Sequence, residues 1–265
     1  MAEDEALFEP FLADPASAGI FCDFDGTLAR IVGDPAKAEP VEGAVEVLAD
    51  LAGRYRRVGV ISGRTLSFLV DRLGGHGLWL AGSYGLEVAD DRGQVDVNPA
   101  ALAWCPTVGE VATMAESDLA PLQVGVERKS LSVTLHFRNR PDAEVPARAW
   151  ANDAAGRSGL AVHPGRMSFE LLPPVESNKG MALAAMVDDA GVSAACFLGD
   201  DRGDIAAFSE LGRMRQEGLS TLAVAVASAE APPELTDEAD LVVDGPEEVV
   251  TLLRRLLPAA PPTNR

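Results

Sequence analysis

The segment FCDFDGTL at residues 21–28 constrains the fold more than any other stretch of this 265-residue chain. A short apolar run ends in two aspartates, Asp23 and Asp25, which are spaced so that an extended backbone points both side chains the same way. Gly26 then permits a sharp turn. Because open α/β sheets bind ligands at the carboxyl ends of parallel strands, the pair predicts a ligand site there. The alternative is a turn in which the aspartates only cap the next segment.

Short, nearly uninterrupted apolar runs recur along the chain and are separated by amphipathic stretches of helical period. This alternation is typical of a parallel sheet that is covered on both faces by helices. The predicted strands are 20–22, 58–61, 78–81, 196–198, 222–227 and 241–243, and the predicted helices are 45–51, 66–73, 181–190 and 246–257.

The pattern changes near residue 100, where polar and apolar residues begin to alternate. Residues 123–137 read VGVERK and then LSVTLHF in their strand-like parts, as expected for a half-buried antiparallel hairpin. Helical stretches flank the hairpin near 108–119 and 142–156, and two further strands are predicted at 160–163 and 168–172. We therefore predict an α/β protein with a Rossmann-like parallel-sheet core formed by residues 1–99 and 174–265, and a smaller α/β cap domain inserted at 100–173.

Composition narrows the class of partner. The chain has 22 Lys and Arg against 41 Asp and Glu, a net charge of −19, which argues against nucleic acid or an anionic membrane as the main partner. The acidic N-terminus lacks the basic region of a secretory signal, and no apolar run approaches the roughly 18 residues of a membrane span. Cys22, Cys105 and Cys196 form no CxxC pair. We expect a cytoplasmic protein, with a monomer favoured.

Two further elements are suited to holding a phosphate. Ser62, Gly63 and Arg64 follow the strand at 58–61, where the exposed N–H groups of a helix start would favour an anion; the alternative is a Ser62 N-cap. Lys179 opens a later helix, where a cation opposes the helix dipole by ~0.3–1 kcal/mol. That cost is reasonable if Lys179 faces a bound anion, and the alternative is a solvated lysine.

The segment CFLGDDRGD at residues 196–204 delivers three acids, Asp200, Asp201 and Asp204, into one turn. Such a cluster repels itself unless a hard cation lies among the carboxylate oxygens. The alternative is an acidic surface loop in a protein that is acidic throughout.

Taken in order, DxDGT, a serine at a strand end, a lysine and GD-x3-D resemble the haloacid-dehalogenase superfamily of phosphohydrolases. The inserted domain resembles the branch with a C2-type cap, and within it the trehalose-6-phosphate phosphatases. The similar stretches are ISGR at 61–64, AGSYGLE at 81–87, VERKSLSVTLHFRN at 126–139 and FELLPP at 169–174. The family usually has His at the position of Tyr84, Arg at the position of Leu172, and GDDxTDEDAF where this chain has GDDRGDIAAF.

The resemblance implies a role for each motif. Asp23 would be the nucleophile that forms an aspartyl-phosphate, and Asp25 the acid and then the base. Ser62 and Lys179 would hold the phosphoryl oxygens. Mg2+ would bind the Asp23 carboxylate, the Asp25 backbone carbonyl and Asp200. The remaining metal-site residues, which would act from behind these ligands or through water, are Asp201 and Asp204.

The resemblance also implies the substrate-binding residues, which are Gly26, Thr27, Gly63 and Arg64 in the core and Glu127, Lys129 and Glu170 in the cap. Carboxylate and ammonium groups suit sugar recognition because each can bond several hydroxyls. The alternative for the hairpin residues is a solvated strand face of alternating charge. His136 and Arg138 are expected to be structural.

The expected function is hydrolysis of trehalose 6-phosphate by a Mg2+-dependent phosphatase. Tyr84 and Leu172 make a second substrate a serious alternative, namely a related disaccharide or aminocyclitol pseudo-disaccharide phosphate such as validoxylamine A 7'-phosphate. A sugar phosphotransferase is disfavoured because those relatives usually carry a helical cap. An inactive phosphosugar-binding regulator is disfavoured because a pure binder needs no general acid such as Asp25.

Overall fold

The computed structural model describes residues 2–165, 167–228 and 231–258. Contacts divide the chain into two compact units, Met1–Asp96 with Ser177–Arg265, and Val97–Glu176. The structural junctions therefore follow residues 96 and 176, whereas the sequence placed them after residues 99 and 173. None of the helices described is long and apolar enough to cross a membrane.

The first unit is built on an eight-stranded sheet in the order β12-β11-β10-β1-β2-β3-β4-β5. The strands from β12 to β3 in that order run parallel to one another, and β4 is antiparallel to β3. The strand bounds are β1 Ala18–Cys22, β2 Arg57–Ile61, β3 Trp79–Gly82, β4 Glu87–Ala89, β5 Val95–Val97, β10 Ala194–Gly199, β11 Ser220–Ala227 and β12 Leu241–Asp244.

Helices cover both faces of this sheet, which is why its central strand β1 is apolar at every position. Successive residues of β1 enter different clusters, with Ile20 and Cys22 packing in one and Phe21 in the other. All five residues of β1 are buried. The helices of this unit are α1 Ala2–Ala13, α2 Ala44–Ala52, α3 Leu66–Leu73, α7 Lys179–Ala190, α8 Ile205–Gln216, α9 Pro233–Glu238 and α10 Gly245–Arg255.

The second unit carries an antiparallel sheet in the order β6-β7-β9-β8. One face of the sheet, with Leu135 and Leu171, packs into a cluster that also contains Val111 and Ala147 of the helices. The bounds in this unit are α4 Pro99–Leu102, α5 Cys105–Leu119, β6 Gly125–Arg128, β7 Val133–His136, α6 Glu144–Ser158, β8 Ala161–Gly165 and β9 Ser168–Leu172.

Candidate active site

The predicted core residues follow the carboxyl ends of neighbouring parallel strands. Asp23 follows β1, Ser62 follows β2 and Asp200 follows β10. In the sheet, Cys22 at the end of β1 pairs with Val60 and with Leu198, each one residue before the end of its strand. The Asp23 N–H donates to the Leu198 carbonyl at 2.8 Å, which extends the β1–β10 pairing by one residue. Because the strands are parallel, their ends deliver the side chains to one edge of the sheet.

Lys179 is the centre of a buried ion cluster. Its Nζ lies 2.9 Å from Asp23 Oδ1, 2.7 Å from Asp204 Oδ1 and 3.5 Å from an oxygen of Asp201. Only 3% of Lys179 is exposed, so the solvated-lysine interpretation is wrong. Although burial alone would lower the pKa of Lys179, Asp204 and Asp23 hold it well above its usual value. The lysine therefore stays charged beside the expected nucleophile.

Asp204 organises the acidic turn through both of its oxygens. Oδ2 accepts the backbone N–H groups of Asp200 and Asp201, each at 2.9 Å, while Oδ1 accepts from Lys179. A side chain at Gly199 would place its Cβ 2.3 Å from the Asp204 carboxyl carbon, so this close approach requires glycine. Asp204 thus fixes the turn that carries its neighbours.

Asp201 caps the same turn and is its most exposed acid. Its Oδ1 accepts the Gly203 N–H at 2.8 Å, and 55% of its side chain is exposed. Burial raises the pKa of Asp201, but Lys179 and the hydrogen bonds of the turn outweigh it and hold the pKa below its usual range. Because Asp200 and Asp204 are buried, the interpretation of this segment as a plain acidic surface loop is wrong.

Asp200 is the acid whose bonding is incomplete. Its Oδ1 is buried and forms no hydrogen bond with any residue that the structure describes. Carboxylate oxygens of Asp23, Asp200 and Asp204 lie within 4.8 Å of one another. Burial, with Asp204 and Asp201 nearby, raises the pKa of Asp200 to about 7. Three carboxylates this close together, one of them with a buried oxygen that lacks a hydrogen bond in the described chain, are chemically suited to a hard divalent cation.

The DGT turn lies directly against Asp200. Gly26 has a φ of +78°, and a Cβ at this position would lie 2.0 Å from Asp200 Oδ2. Only glycine permits this close approach, which brings the backbone of the turn beside the acidic cluster. Thr27 is fully buried, and its Oγ1 forms no hydrogen bond within the described residues.

Arg64 binds Asp25 through two hydrogen bonds. Its Nε donates to Asp25 Oδ2 and its NH2 nitrogen to Oδ1, both at 2.7 Å. The predicted arrangement placed Arg64 among the residues that bind substrate, and sequence reasoning did not anticipate its pairing with Asp25. The two residues are 39 positions apart in sequence, and no local sequence pattern predicts that they are in contact.

The position of Ser62 corrects one expectation. Helix α3 begins at Leu66 and is capped by Thr65, whose Oγ1 accepts the Phe68 N–H at 3.3 Å. Ser62 therefore lies before the helix, and both its predicted place at the helix start and its alternative role as N-cap are wrong. Its buried hydroxyl instead accepts the Arg64 N–H at 3.2 Å.

The turn after β3 has a strained backbone beside Ser62. Ser83 and Tyr84 adopt left-handed φ values of 51° and 58°, a conformation that costs non-glycine residues about 1 kcal/mol or more. The Tyr84 N–H donates to the Ser62 carbonyl at 3.0 Å. A Cβ at Gly63 would lie 2.6 Å from the Tyr84 ring. Tyr84 therefore packs directly on the loop that carries Ser62.

The second unit brings its three predicted residues to one face of its sheet. Glu127 and Glu170 both pair with Thr134 of β7, and cross-strand partners share a face. Lys129 Nζ lies 2.9 Å from Glu170 Oε1. His136, which was expected to be structural, lies 2.8 Å from Glu127. Val133, Leu135, Phe169 and Leu171 lie on the opposite face, in the cluster that also contains residues of α5 and α6.

Comparison with known proteins identifies the family. A sequence profile of the family described as trehalose-phosphatase matches residues 21–239. The chain belongs to the trehalose-phosphatase family. It is 38% identical over 215 residues to the trehalose-phosphate phosphatase of Mycobacterium marinum, an alignment that covers 78% of this chain and 55% of the relative. The chain thus spans about half the length of that relative.

Solved structures support the fold of this trehalose-phosphatase family member. A trehalose-6-phosphate phosphatase related protein superposes with a TM-score of 0.74 at 22% identity, covering 90% of this chain and 96% of the other. A haloacid dehalogenase-like hydrolase from Bacteroides thetaiotaomicron gives 0.62 at 15% identity, covering 91% and 99%. The predicted family resemblance and the predicted α/β fold class are therefore confirmed.

Proposed function

We propose that this protein is a Mg2+-dependent phosphatase that hydrolyses trehalose 6-phosphate to trehalose and inorganic phosphate. Family membership supports the substrate class. The observation that carries the chemistry is the buried cluster in which Lys179 contacts Asp23 while Asp25 lies two residues further along the same turn. A nucleophile, a fixed cation and a second acid in this order suit phosphoryl transfer through an enzyme carboxylate.

In the first half-reaction, an Asp23 oxygen attacks phosphorus as the bond from phosphorus to the sugar oxygen breaks. Asp25 gives its proton to that departing oxygen, so trehalose leaves as a neutral alcohol. In the second half-reaction, Asp25 removes a proton from water as the water oxygen attacks phosphorus and the Asp23–phosphorus bond breaks. Lys179 offsets the negative charge on the phosphoryl oxygens, and the Ser62 hydroxyl donates to one of them.

The metal site proposed here consists of the Asp23 carboxylate, the Asp25 backbone carbonyl and Asp200. Two observations support this choice: Asp200 Oδ1 forms no hydrogen bond within the described part of the chain, and Gly26 allows the DGT turn to approach Asp200 closely. Asp201 and Asp204 would act indirectly, because Asp204 already accepts from Lys179 and two backbone N–H groups. A bound Mg2+ would neutralise charge on the carboxylates and on the phosphoryl group.

Mg2+ binding is expected to become more stabilising as the pH rises. Without metal, Asp200 has a pKa of about 7, against roughly 4 in the unfolded chain. A raised carboxyl pKa contributes stability that is present below about pH 4 and is lost as the pH rises through about 7. Mg2+ should counter this loss by binding the ionised form.

Thermal unfolding between pH 5.5 and 8 checks this expectation. The midpoint of the metal-free protein should fall with rising pH, and added Mg2+ should raise it far more at pH 8 than at pH 5.5. Asp200→Asn should flatten both responses. An equal Mg2+ effect at the two pH values would contradict the assignment of Asp200.

We further propose that Glu127, Lys129 and Glu170 bind the sugar hydroxyls. Alanine at any one of them is expected to lower kcat/KM for trehalose 6-phosphate by roughly 5- to 150-fold, the effect of losing a buried polar partner. The small substrate p-nitrophenyl phosphate lacks these hydroxyls, so its hydrolysis should change by less than about twofold. Phosphate-release assays on both substrates measure the difference.

Arg128→Ala is the matched control for the cap variants. Arg128, the last residue of β6, lies between Glu127 and Lys129 in sequence, but its guanidinium pairs with Glu116 of α5. It should affect neither substrate. Equal losses on both substrates in all three cap variants would mean that these residues act through stability or closure rather than through recognition.

The direct test of the proposed function is phosphate release from a panel of phosphate monoesters. The panel contains trehalose 6-phosphate, glucose 6-phosphate, validoxylamine A 7'-phosphate and p-nitrophenyl phosphate. Highest kcat/KM on trehalose 6-phosphate supports the proposal, and preference for the pseudo-disaccharide would favour the alternative substrate. Transfer of phosphate to another sugar position without release would indicate a phosphotransferase, and binding without turnover would indicate a regulator.

We also propose that the enzyme acts in the cytoplasm as a monomer and does not bind nucleic acid. The net charge of −19 opposes binding to a polyanion. All three cysteines are free, and Cys22 and Cys196 are buried, which suits a reducing compartment.

A further inference from the structure

Arg64 binds both carboxylate oxygens of Asp25. The two bonds are each 2.7 Å, and less than a third of the Arg64 side chain is exposed. A guanidinium bound in this way fixes the orientation of a carboxylate as well as its position. It also leaves one lone pair on each oxygen, because a carboxylate offers about four acceptor sites and Arg64 uses two of them.

The guanidinium of Arg64 stacks on the ring of Phe68, which is in turn packed against a second aromatic ring. Its central carbon lies 4.5 Å from the centroid of the Phe68 ring. Phe68 in turn meets Phe24 edge to face, with centroids 5.4 Å apart and planes at 89°. Phe24 directly precedes Asp25 in sequence. The contacts therefore lead from Asp25 through Arg64 and Phe68 back to the residue next to Asp25.

The backbone of Arg64 is held as firmly as its side chain. Its N–H donates to Ser62 Oγ at 3.2 Å. Its carbonyl accepts the N–H of Ser83, one of the two strained residues, at 2.6 Å. The strained turn after β3 therefore restrains the same residue that orients Asp25.

We infer that Arg64 is a positioning residue that orients Asp25 for proton transfer to the leaving oxygen and from the attacking water. Arg64 keeps its charge and its protons throughout, while Asp25 gives up and then regains one proton. This inference rests on the proposed phosphatase chemistry but not on the identity of the sugar. It assigns to Arg64 a task different from direct contact with the phosphate or the sugar.

The test compares two substrates and two variants. With Arg64→Gln, kcat/KM for trehalose 6-phosphate should fall about 10- to 100-fold, because a displaced catalytic acid protonates the alkoxide poorly. kcat/KM for p-nitrophenyl phosphate should fall less than about threefold, because this parameter covers only the steps through aspartyl-phosphate formation and the aryl leaving group needs no proton. Arg64→Lys keeps the charge but loses the two-pronged contact, and it should behave like Arg64→Gln.

A double-mutant cycle with Asp25→Asn separates positioning from substrate binding. If Arg64 works through Asp25, then the double variant should be no slower on trehalose 6-phosphate than Asp25→Asn alone. Multiplicative losses would mean that Arg64 contacts substrate independently and would overturn the inference. Equal losses of Arg64→Gln on the two substrates would also overturn it, as would wild-type rates for Arg64→Lys.

Arg72→Gln is the matched control, because Arg72 lies over the same Phe68 ring at 3.8 Å but donates to the carbonyls of Ala36 and Ala38. It should leave the ratio of the two kcat/KM values unchanged. If Arg64→Gln folds poorly by thermal unfolding, Phe68→Leu removes the ring that supports the guanidinium, together with the contacts of that ring to Phe24 and Arg72, and should shift the same ratio in the same direction. Should trehalose 6-phosphate fail as a substrate, the best alkyl phosphate of the panel takes its place, so the proposed function and this inference can fail separately.

Discussion

Asp23→Asn is expected to reduce phosphate release from trehalose 6-phosphate by about 10⁴-fold or more, the scale of losing a catalytic nucleophile. The amide keeps the shape of the carboxylate but can neither attack phosphorus nor contribute a negative charge to the metal site. Steady-state phosphate release measures the loss. A rate within tenfold of the wild type would rule out Asp23 as the nucleophile.

The same variant is expected to remain folded. Burial raises the pKa of Asp23 well above its usual range, and Asp204, Asp201 and Asp200 add to this effect against the opposing Lys179. The charged form of Asp23 is therefore unfavourable in the metal-free protein, so a neutral isostere has little to lose. Lys179 keeps its bond to Asp204 in the variant, so it is not left as an unpaired buried charge.

Two measurements confirm that a loss of turnover is chemical. Thermal unfolding without Mg2+ should give an unchanged or slightly higher midpoint for Asp23→Asn. An acid-quench experiment should trap a phosphorylated protein for the wild type and none for the variant. A variant that is inactive and also unfolded would leave the role of Asp23 to be decided by the trapped intermediate of the wild type alone.

The central sheet could be predicted from sequence because burial on both faces demands uninterrupted apolar strands. β1, β2 and β10 are buried at every position, and the sequence located each of them to within a few residues. β5 could not be found this way, because it spans only the three residues Val95–Val97 and these are largely exposed. Helix α8 was not predicted, because no element was assigned between the acidic turn and the strand at 222–227.

The site could be predicted as a set of residues but not as a set of contacts. Asp23 and Asp200 could be placed together because the parallel strands before them end at one edge of the sheet, and the family resemblance added Lys179, which opens α7. The pairing of Arg64 with Asp25 depends on the loop after β2 meeting the turn after β1, and no spacing encodes that. The left-handed backbone of Tyr84 could not be predicted either, because a left-handed conformation is expected at glycine and not at tyrosine.

The acids of the turn after β10 show that a sequence motif does not reveal the separate role of each of its residues. The sequence grouped Asp200, Asp201 and Asp204 as one metal-binding set. Their bonding differs: Asp204 accepts hydrogen bonds from Lys179 and from two backbone N–H groups, Asp201 caps the turn, and Asp200 keeps a buried oxygen without a partner in the described chain. These differences in hydrogen bonding are seen only in the structure. The assignment of Asp200 as a metal ligand stays a prediction.

Removal of divalent metal by EDTA is expected to lower phosphate release by about 10³-fold or more, since a metal supplies several kcal/mol of charge stabilisation. Mg2+ in excess should restore it. Among the residues that the structure describes, Lys179 is the buried cation that pairs with Asp23, Asp201 and Asp204. Without a metal, a phosphate dianion would therefore enter a negatively charged site.

Asp200→Asn separates this electrostatic role from a structural one. The amide preserves the size of the side chain but lacks the charge that would hold Mg2+. Activity should then require a much higher Mg2+ concentration, and the rise in unfolding midpoint on adding Mg2+ at pH 8 should shrink. If the metal only held the fold together, EDTA would instead unfold the wild type, and Asp200→Asn, which relieves repulsion, would be the more active protein in chelator. Undiminished wild-type turnover in EDTA would refute the metal site itself and leave Lys179 as the cation that offsets the phosphoryl charge.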